Sequence, residues 1–239
     1  MSDPRYEAVL WDIGGVLVEL ASVRAGYAAF VAELADAHDF DREAALATWR
    51  ETLGEYFRGR EGTEYRPARE GYWTATAALF DGDPPDGWQR TFERATGAAL
   101  RPVDGAVGVV ERLADRGVAQ AIVSDIDTRE AGDALATLGI RDRMAHVTTS
   151  EAVGFTKPDE WMFRDALAAL DVAPGVALMV GDRYEHDVAG AAAVGVDAAA
   201  FGADARGPAA THELDDLQDL PGVVAGRGPE PPTHRRRNA

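Results

Sequence analysis

Three apolar runs, AVLW (8–11), VAQAIVS (118–124) and VALMVGD (176–182), are close to continuous rather than alternating. A strand covered on one face alternates apolar with polar side chains, so runs of this kind predict strands buried on both faces, the condition of a parallel sheet. Apolar residues recur at helical spacing over 104–117, 128–139, 159–170 and 185–195, and Gly117, Gly139 and Gly195 stand where those helices should end. Strands alternating with helices predict an α/β fold in which helices cover both faces of the sheet.

Residues 21–97 break that rhythm. Amphipathic helical patterns run over about 22–37, 41–57, 67–80 and 86–96 with no convincing strand between them. An all-helical insert after the first strand of an α/β core predicts a separate cap, giving a discontinuous core over 1–18 and 99–224 and a helical cap over 19–98. The last stretch, AGRGPEPPTHRRRNA (225–239), has almost nothing to bury and predicts a disordered tail.

Composition narrows the function classes. The chain has 239 residues, enough for one core and a small second unit, and 46% hydrophobic with 27% charged residues is ordinary for a globular protein. No apolar run reaches the ~18 residues of a membrane span, and MSDPRYE lacks the layout of a signal peptide, so a cytoplasmic protein is expected, with no membrane partner. With Cys at 0, disulfides, thiolate metal sites and cysteine nucleophiles are excluded. A formal net charge of −17 argues against nucleic acid as a partner. The acidic excess with almost no lysine fits a halophilic source, with a GC-rich genome favouring Arg codons as the other explanation. Of 24 cationic side chains only Lys157 is a lysine.

In open parallel sheets ligands bind beyond the carboxyl ends of the strands. The polar residues there are Asp12, Ser124 with Asp125, and Gly181-Asp182 followed by Asp187, with Lys157 in a loop entering a helix. WDIGGVLVEL (11–20), IVSD (122–125), TKPDE (156–160) and VGDRYEHDVAGAAAVG (180–195) stand in that order. Together they resemble the four motifs of the haloacid dehalogenase (HAD) superfamily, a group consisting mainly of magnesium-dependent phosphohydrolases, and the resemblance extends to about residue 202. It implies a Rossmann-like core with a cap, and a Mg²⁺-dependent phosphohydrolase acting on a small phosphorylated metabolite.

The resemblance also gives each residue a role. Asp12 is the implied nucleophile, forming an aspartyl-phosphate that water hydrolyses. Asp12, the Gly14 carbonyl and Asp182 would hold Mg²⁺ through hard oxygen ligands, with Asp187 acting through a metal-bound water. Ser124 would hydrogen-bond a phosphoryl oxygen, with Gly15 and Asp125 beside it in the substrate-binding set. Lys157 would bridge Asp12 and the phosphoryl group, a place for a compact rotatable ammonium rather than the wide fork of arginine. Arg58, Arg60, Arg66 and Arg69, set among aromatics at 55–73, form either a lid surface for an anionic small molecule or a solvated helix face.

The pattern departs from the family at Gly14, where phosphatases usually carry a second aspartate as general acid and base. Replacement acids would come from Glu185, His186 or the cap. Dehalogenase relatives also lack the second aspartate, yet they lack an acidic fourth motif, and GDRYEHD argues against that reading. A phosphate-binding module without turnover is the non-enzymatic alternative. Oligomeric state is not legible.

Overall fold

The computed structural model describes residues 5–80 and 82–226, so the predicted tail lies almost wholly outside the described residues. Six parallel strands form one sheet in the order β3-β2-β1-β4-β5-β6. They are β1 (Ala8–Trp11), β2 (Ala119–Ser124), β3 (His146–Thr149), β4 (Ala177–Gly181), β5 (Asp197–Phe201) and β6 (His212–Leu214). The three predicted strands fall at β1, β2 and β4, the centre of the sheet.

Strand residues divide between the two faces with period two. Val9, Trp11, Ile122, Leu178, Val180 and Ala199 pack on one side. That side is covered by α5 (Ala106–Ala114), α6 (Thr128–Thr137) and α10 (Leu220–Val224). Leu10, Ala121, Val123, Met179, Ala198 and Ala200 pack on the other. There α8 (Glu160–Leu170) packs over β2 and β3 through Met162, Phe163, Ala166 and Leu167. A four-residue helix, α7 (Ser150–Val153), precedes α8. The helix expected over 185–195 is instead a π-helical stretch, Tyr184–Ala189, running into α9 (Gly190–Ala193).

Between β1 and β2 lie α1 (Leu20–His38), α2 (Arg42–Arg58), α3 (Ala68–Ala77) and α4 (Trp88–Ala99), with no named strand among them. Asp41 starts α2 by accepting from the Ala44 N–H at 2.8 Å. These helices have a core of their own, built on Phe30, Trp49, Tyr72, Trp88 and Phe92. Its aromatic rings are in contact, with Tyr72 and Phe92 centroids 4.4 Å apart. The buried Thr76 hydroxyl beside it is satisfied: Thr76 Oγ1 accepts from Trp49 Nε1 at 3.1 Å and donates to the Tyr72 carbonyl.

The chain enters and leaves this helical unit side by side. Val18 and Pro102 form an antiparallel bridge, flanked by Glu19 N–H to Arg101 O at 3.0 Å and Val103 N–H to Leu17 O at 3.1 Å. A second attachment joins the α2–α3 loop to the loop that carries Lys157. Thr156 N–H donates to Thr63 O at 2.7 Å, Tyr65 N–H to Gly154 O at 3.0 Å, and Thr63 Oγ1 to Asp159 Oδ2 at 3.0 Å. No described helix is long and apolar enough to cross a membrane.

Candidate active site

Asp12, Ser124 and Asp182 stand at or just beyond the carboxyl ends of β1, β2 and β4, three neighbouring strands. Sheet order therefore brings together residues separated by more than half of the chain. Asp12 is 4% exposed. Its Oδ1 accepts from the Ile13 N–H at 2.9 Å, from Ser124 Oγ at 2.8 Å and from Lys157 Nζ at 3.0 Å. Three donors on one oxygen fix the carboxylate's rotation. Ser124 thus spends its proton on Asp12 here, and contact with a phosphoryl oxygen would require the hydroxyl to re-aim.

Lys157 is fully buried between two carboxylates, with Nζ 3.0 Å from Asp12 and 2.5 Å from Asp187. Burial alone would depress its pKa, but the charges of Asp12, Asp187 and Asp125 outweigh that and raise it. Lys157 thus has two carboxylate partners, Asp12 and Asp187, of which only Asp12 is expected from the sequence. Asp187 is 0% exposed, and its Oδ2 accepts from the Arg183 N–H at 2.9 Å. Gly181 is obligatory at this point, because a Cβ there would lie 2.1 Å from Asp187 Cβ.

Asp12, Asp182 and Asp187 each offer a carboxylate oxygen, and the three lie within 4.8 Å of one another. Three hard anionic donors at this spacing fit a divalent cation such as Mg²⁺. Without a cation the arrangement is electrostatically unfavourable, and Asp182 records this. Its pKa is pushed up to about 6, first by burial and then by the charges of Asp12 and Asp187, against Arg183 and Lys157. Gly15 serves this carboxylate through what it lacks. Its φ is +78°, and a Cβ there would come 1.9 Å from Asp182 Oδ2. The Gly15 N–H already donates to Val18 O at 2.8 Å, so the residue meets its neighbours by close approach rather than by a free amide. Gly14 lines the cavity beside Asp12.

Asp125 has both oxygens engaged, Oδ1 with the Lys157 N–H at 2.7 Å and Oδ2 with Arg183 Nη2 at 3.0 Å. It therefore holds the lysine loop and an arginine in place. Arg183 was not singled out from sequence, although it follows directly on Asp182. Burial lowers its pKa, and the carboxylates of Asp12, Asp125 and Asp187 raise it by more.

A cavity of about 490 Å³ opens from these residues into the helical unit. Arg60 and Arg66 line it, but Arg58 does not: it is exposed at the end of α2 and lies back over Gly54. Arg69 is likewise exposed and absent from the lining. Glu185 and His186 are also absent from the lining, which counts against both as acids for a bound substrate. His186 is in addition disposed to be neutral, its pKa lowered by burial and by Arg183.

Of the cavity carboxyls outside the four motifs, Asp127 and Glu130 have partners in the helical unit. Asp127 sits at the N-cap position of α6 but does not cap it. Its Oδ1 accepts from Tyr65 OH at 2.6 Å and from the Ala68 N–H at 2.9 Å, so a core residue caps α3 of the helical unit. Glu130, one turn into α6, has a pKa pushed up to about 7, first by burial and further by Asp127, Asp133 and Glu151, with a Tyr72 hydrogen bond opposing. A DxDxxE pattern following a strand was the available signal, but it equally describes a solvated first helical turn.

Comparisons with known proteins agree with this geometry. The family model "haloacid dehalogenase-like hydrolase" matches residues 6–195. A ribulose-1,5-bisphosphate 5-phosphatase of Halopiger xanaduensis is 30% identical over 236 residues, covering 91% of this chain and 99% of that protein. A phosphoserine phosphatase of Thermus thermophilus is 31% identical over 223 residues, covering 82% of this chain and 81% of its own. Among solved structures, a HAD phosphatase from Thermococcus onnurineus superposes with a TM-score of 0.72 at 24% identity, over 92% of this chain and 99% of that one. An L-2-haloacid dehalogenase from Xanthobacter autotrophicus gives 0.66 at 21%, over 93% and 100%, so the fold by itself does not separate the two chemistries. With the family model spanning both the strand-end carboxylates and the helical insert, and a full-length relative alongside it, this chain belongs to the haloacid dehalogenase-like hydrolases.

Proposed function

We propose that the protein hydrolyses phosphate from small phosphorylated metabolites in a Mg²⁺-dependent reaction that passes through a phosphorylated Asp12. The observation that carries this reading is the Asp12 carboxylate, nearly buried, fixed by three donors on one oxygen and grouped with Asp182 and Asp187. Relatives named for ribulose-1,5-bisphosphate, phosphoserine and glyceraldehyde 3-phosphate support the substrate class.

In the first step an Asp12 oxygen forms a bond to phosphorus while the bond to the leaving oxygen breaks, its electron pair departing with that oxygen. Water then attacks the same phosphorus, passing its proton to the group that protonated the leaving oxygen, the Asp12–phosphorus bond breaks, and the Asp12 carboxylate is restored. Mg²⁺ held by Asp12, Asp182 and the Gly14 carbonyl would offset the negative charge gathered there. Lys157 orients Asp12 and offsets its charge, while Asp187 fixes Lys157 from behind and Asp125 fixes its backbone. At Gly14 no side chain can protonate the leaving oxygen. Glu130, a cavity carboxyl with a pKa near neutrality, is the group we assign to hold that proton.

Residues 19–98 act in this reading as the cap, closing the cavity from above, with 1–18 and 99–224 as the catalytic core. Phosphate release from an aryl phosphate, with and without Mg²⁺, tests the proposal, and Asp12→Asn should abolish the reaction. Turnover by the Asn variant at the wild-type rate would sink it.

A further inference from the structure

Three arginines line the cavity, and two of them are engaged. Arg183 pairs with Asp125. Arg66 donates to the Tyr56 carbonyl and lies over the Tyr56 ring, 4.0 Å from its centroid. Arg60 differs. Its Nη1 donates to Thr156 Oγ1 at 3.2 Å, while its Nε–H is buried with no partner among the described residues. No hydrogen bond from its Nη2 is present there either, so the Nε/Nη2 edge, the edge that grips carboxylate or phosphate with two parallel bonds, is unclaimed.

Charge makes the omission informative. The chain carries 41 acidic against 24 basic residues, so counter-ions are abundant. Even so, neither Arg60 nor Arg66 forms an ion pair among the described residues. A half-buried guanidinium without a counter-charge, and with a buried N–H unsatisfied, is incomplete on its own.

Position separates Arg60 from the reacting centre. Its anchor, Thr156, is fastened to Thr63 of the helical unit through both its N–H and its hydroxyl. The next residue, Lys157, needs the length of its side chain to reach Asp12 from there. Arg60 thus meets the cavity at the seam, beside Thr156 and not among the donors to Asp12.

We infer that the Arg60 edge, with Arg66 adding charge from the same lining, binds a second anionic group of the substrate, so that the preferred substrate is a small phosphorylated compound with a further phosphate or carboxylate remote from the transferred phosphoryl. This rests on the phosphohydrolase reading and adds the substrate class to it.

Non-hydrolysable probes test it without turnover. Titration calorimetry would compare pentylphosphonate with pentane-1,5-diphosphonate and 6-phosphonohexanoate, in Mg²⁺ buffer. Both probes with a second anionic group should bind roughly ten- to a hundredfold more tightly than pentylphosphonate, and whichever binds better identifies the group as phosphate or carboxylate. Arg60→Gln should erase that advantage, and Arg60→Lys, which keeps the charge but not the fork, should keep part of it, with circular dichroism confirming the fold of each. Equal affinities for the three probes, or an advantage that survives in Arg60→Gln, would overturn the inference. Aryl phosphate hydrolysis by the same wild-type preparation tells the two failures apart: turnover without the preference for a second anionic group defeats this inference alone, and the preference without turnover defeats the hydrolase reading alone.

Discussion

Replacing Lys157 with methionine keeps most of the side-chain volume and removes the charge, which isolates what the ammonium does. In the folded protein Nζ lies 3.0 Å from Asp12 and 2.5 Å from Asp187, and none of the lysine side chain reaches solvent. Removing one partner from a buried ion pair costs about 3–5 kcal/mol, because the remaining charge stays desolvated and unpaired. For a chain of this size that corresponds to a fall in Tm of about 6–20 °C. The pH dependence has a definite sign. The folded pKa of Lys157 is raised, so its stabilisation is fully present below the ordinary lysine value of about 10.5 and is lost only above it. The difference between wild type and Lys157→Met should therefore be flat from about pH 7 to 9. Thermal unfolding in EDTA measures it, and phosphate release in Mg²⁺ should fall by about one to two orders of magnitude in kcat/KM. Lys157→Arg should also fail, since the planar fork does not fit a closed site between two carboxylates and overpacking costs about 1–3 kcal/mol. A methionine variant within about 1 kcal/mol of wild type, or an arginine variant with wild-type turnover, would refute the argument.

The raised pKa of Asp182 gives a prediction of the opposite kind: its carboxyl favours the protonated folded state, a contribution present at low pH and lost as pH rises through about 6. Asp182→Asn should accordingly raise Tm in EDTA at pH 7, with the gain fading below about pH 6, while Mg²⁺ binding by calorimetry is lost. Gly15→Ala would place a methyl 1.9 Å from Asp182 Oδ2 at a φ of +78°, and both Tm and Mg²⁺ affinity should drop. Asp127→Ala should loosen the start of α3, seen as faster hydrogen exchange at Ala68 and Arg69, with a stability loss of about 1–2 kcal/mol. Glu130→Gln should lower hydrolysis of alkyl phosphates by about 10²-fold or more and spare aryl phosphates, whose leaving oxygen needs little protonation. Equal losses on both substrates would remove Glu130 from the proton-holding role.

The readable part of the fold is the part whose side chains differ from their surroundings. AVLW and VALMV announce central strands because large apolar residues must be covered on both faces. β5, DAAAF, is Ala-rich where the Tyr184–Ala189 stretch and α9 pack against it, and alanine has no strand preference of its own. β6 has three residues, too few for any period to show. At the site, Asp12, Ser124, Lys157, Asp182 and Asp187 were legible as strand-end chemistry, and the structure brings them together. Asp127, Glu130 and Arg183 were not, because their partners lie across the seam or in another loop and leave no local pattern. Arg58 shows the converse: two residues from Arg60, it looks identical in sequence, yet the helix end turns it to solvent.

The attachment of the α2–α3 loop to residues 154–159 bears on how such proteins can be recombined. Helical inserts have the look of interchangeable cassettes, entered and left at one paired crossing, Val18 and Pro102. In this chain a cassette cut at that crossing would leave half of a second joint behind. Thr63 would depart with the insert while Thr156 and Asp159, its partners on the lysine loop, stayed with the host. A chimera that exchanges the insert alone should therefore inherit a lysine loop fitted to the wrong neighbour, and one that carries residues 154–159 along with the insert should not. The insert and the loop that carries Lys157 are, in that sense, inherited as one unit.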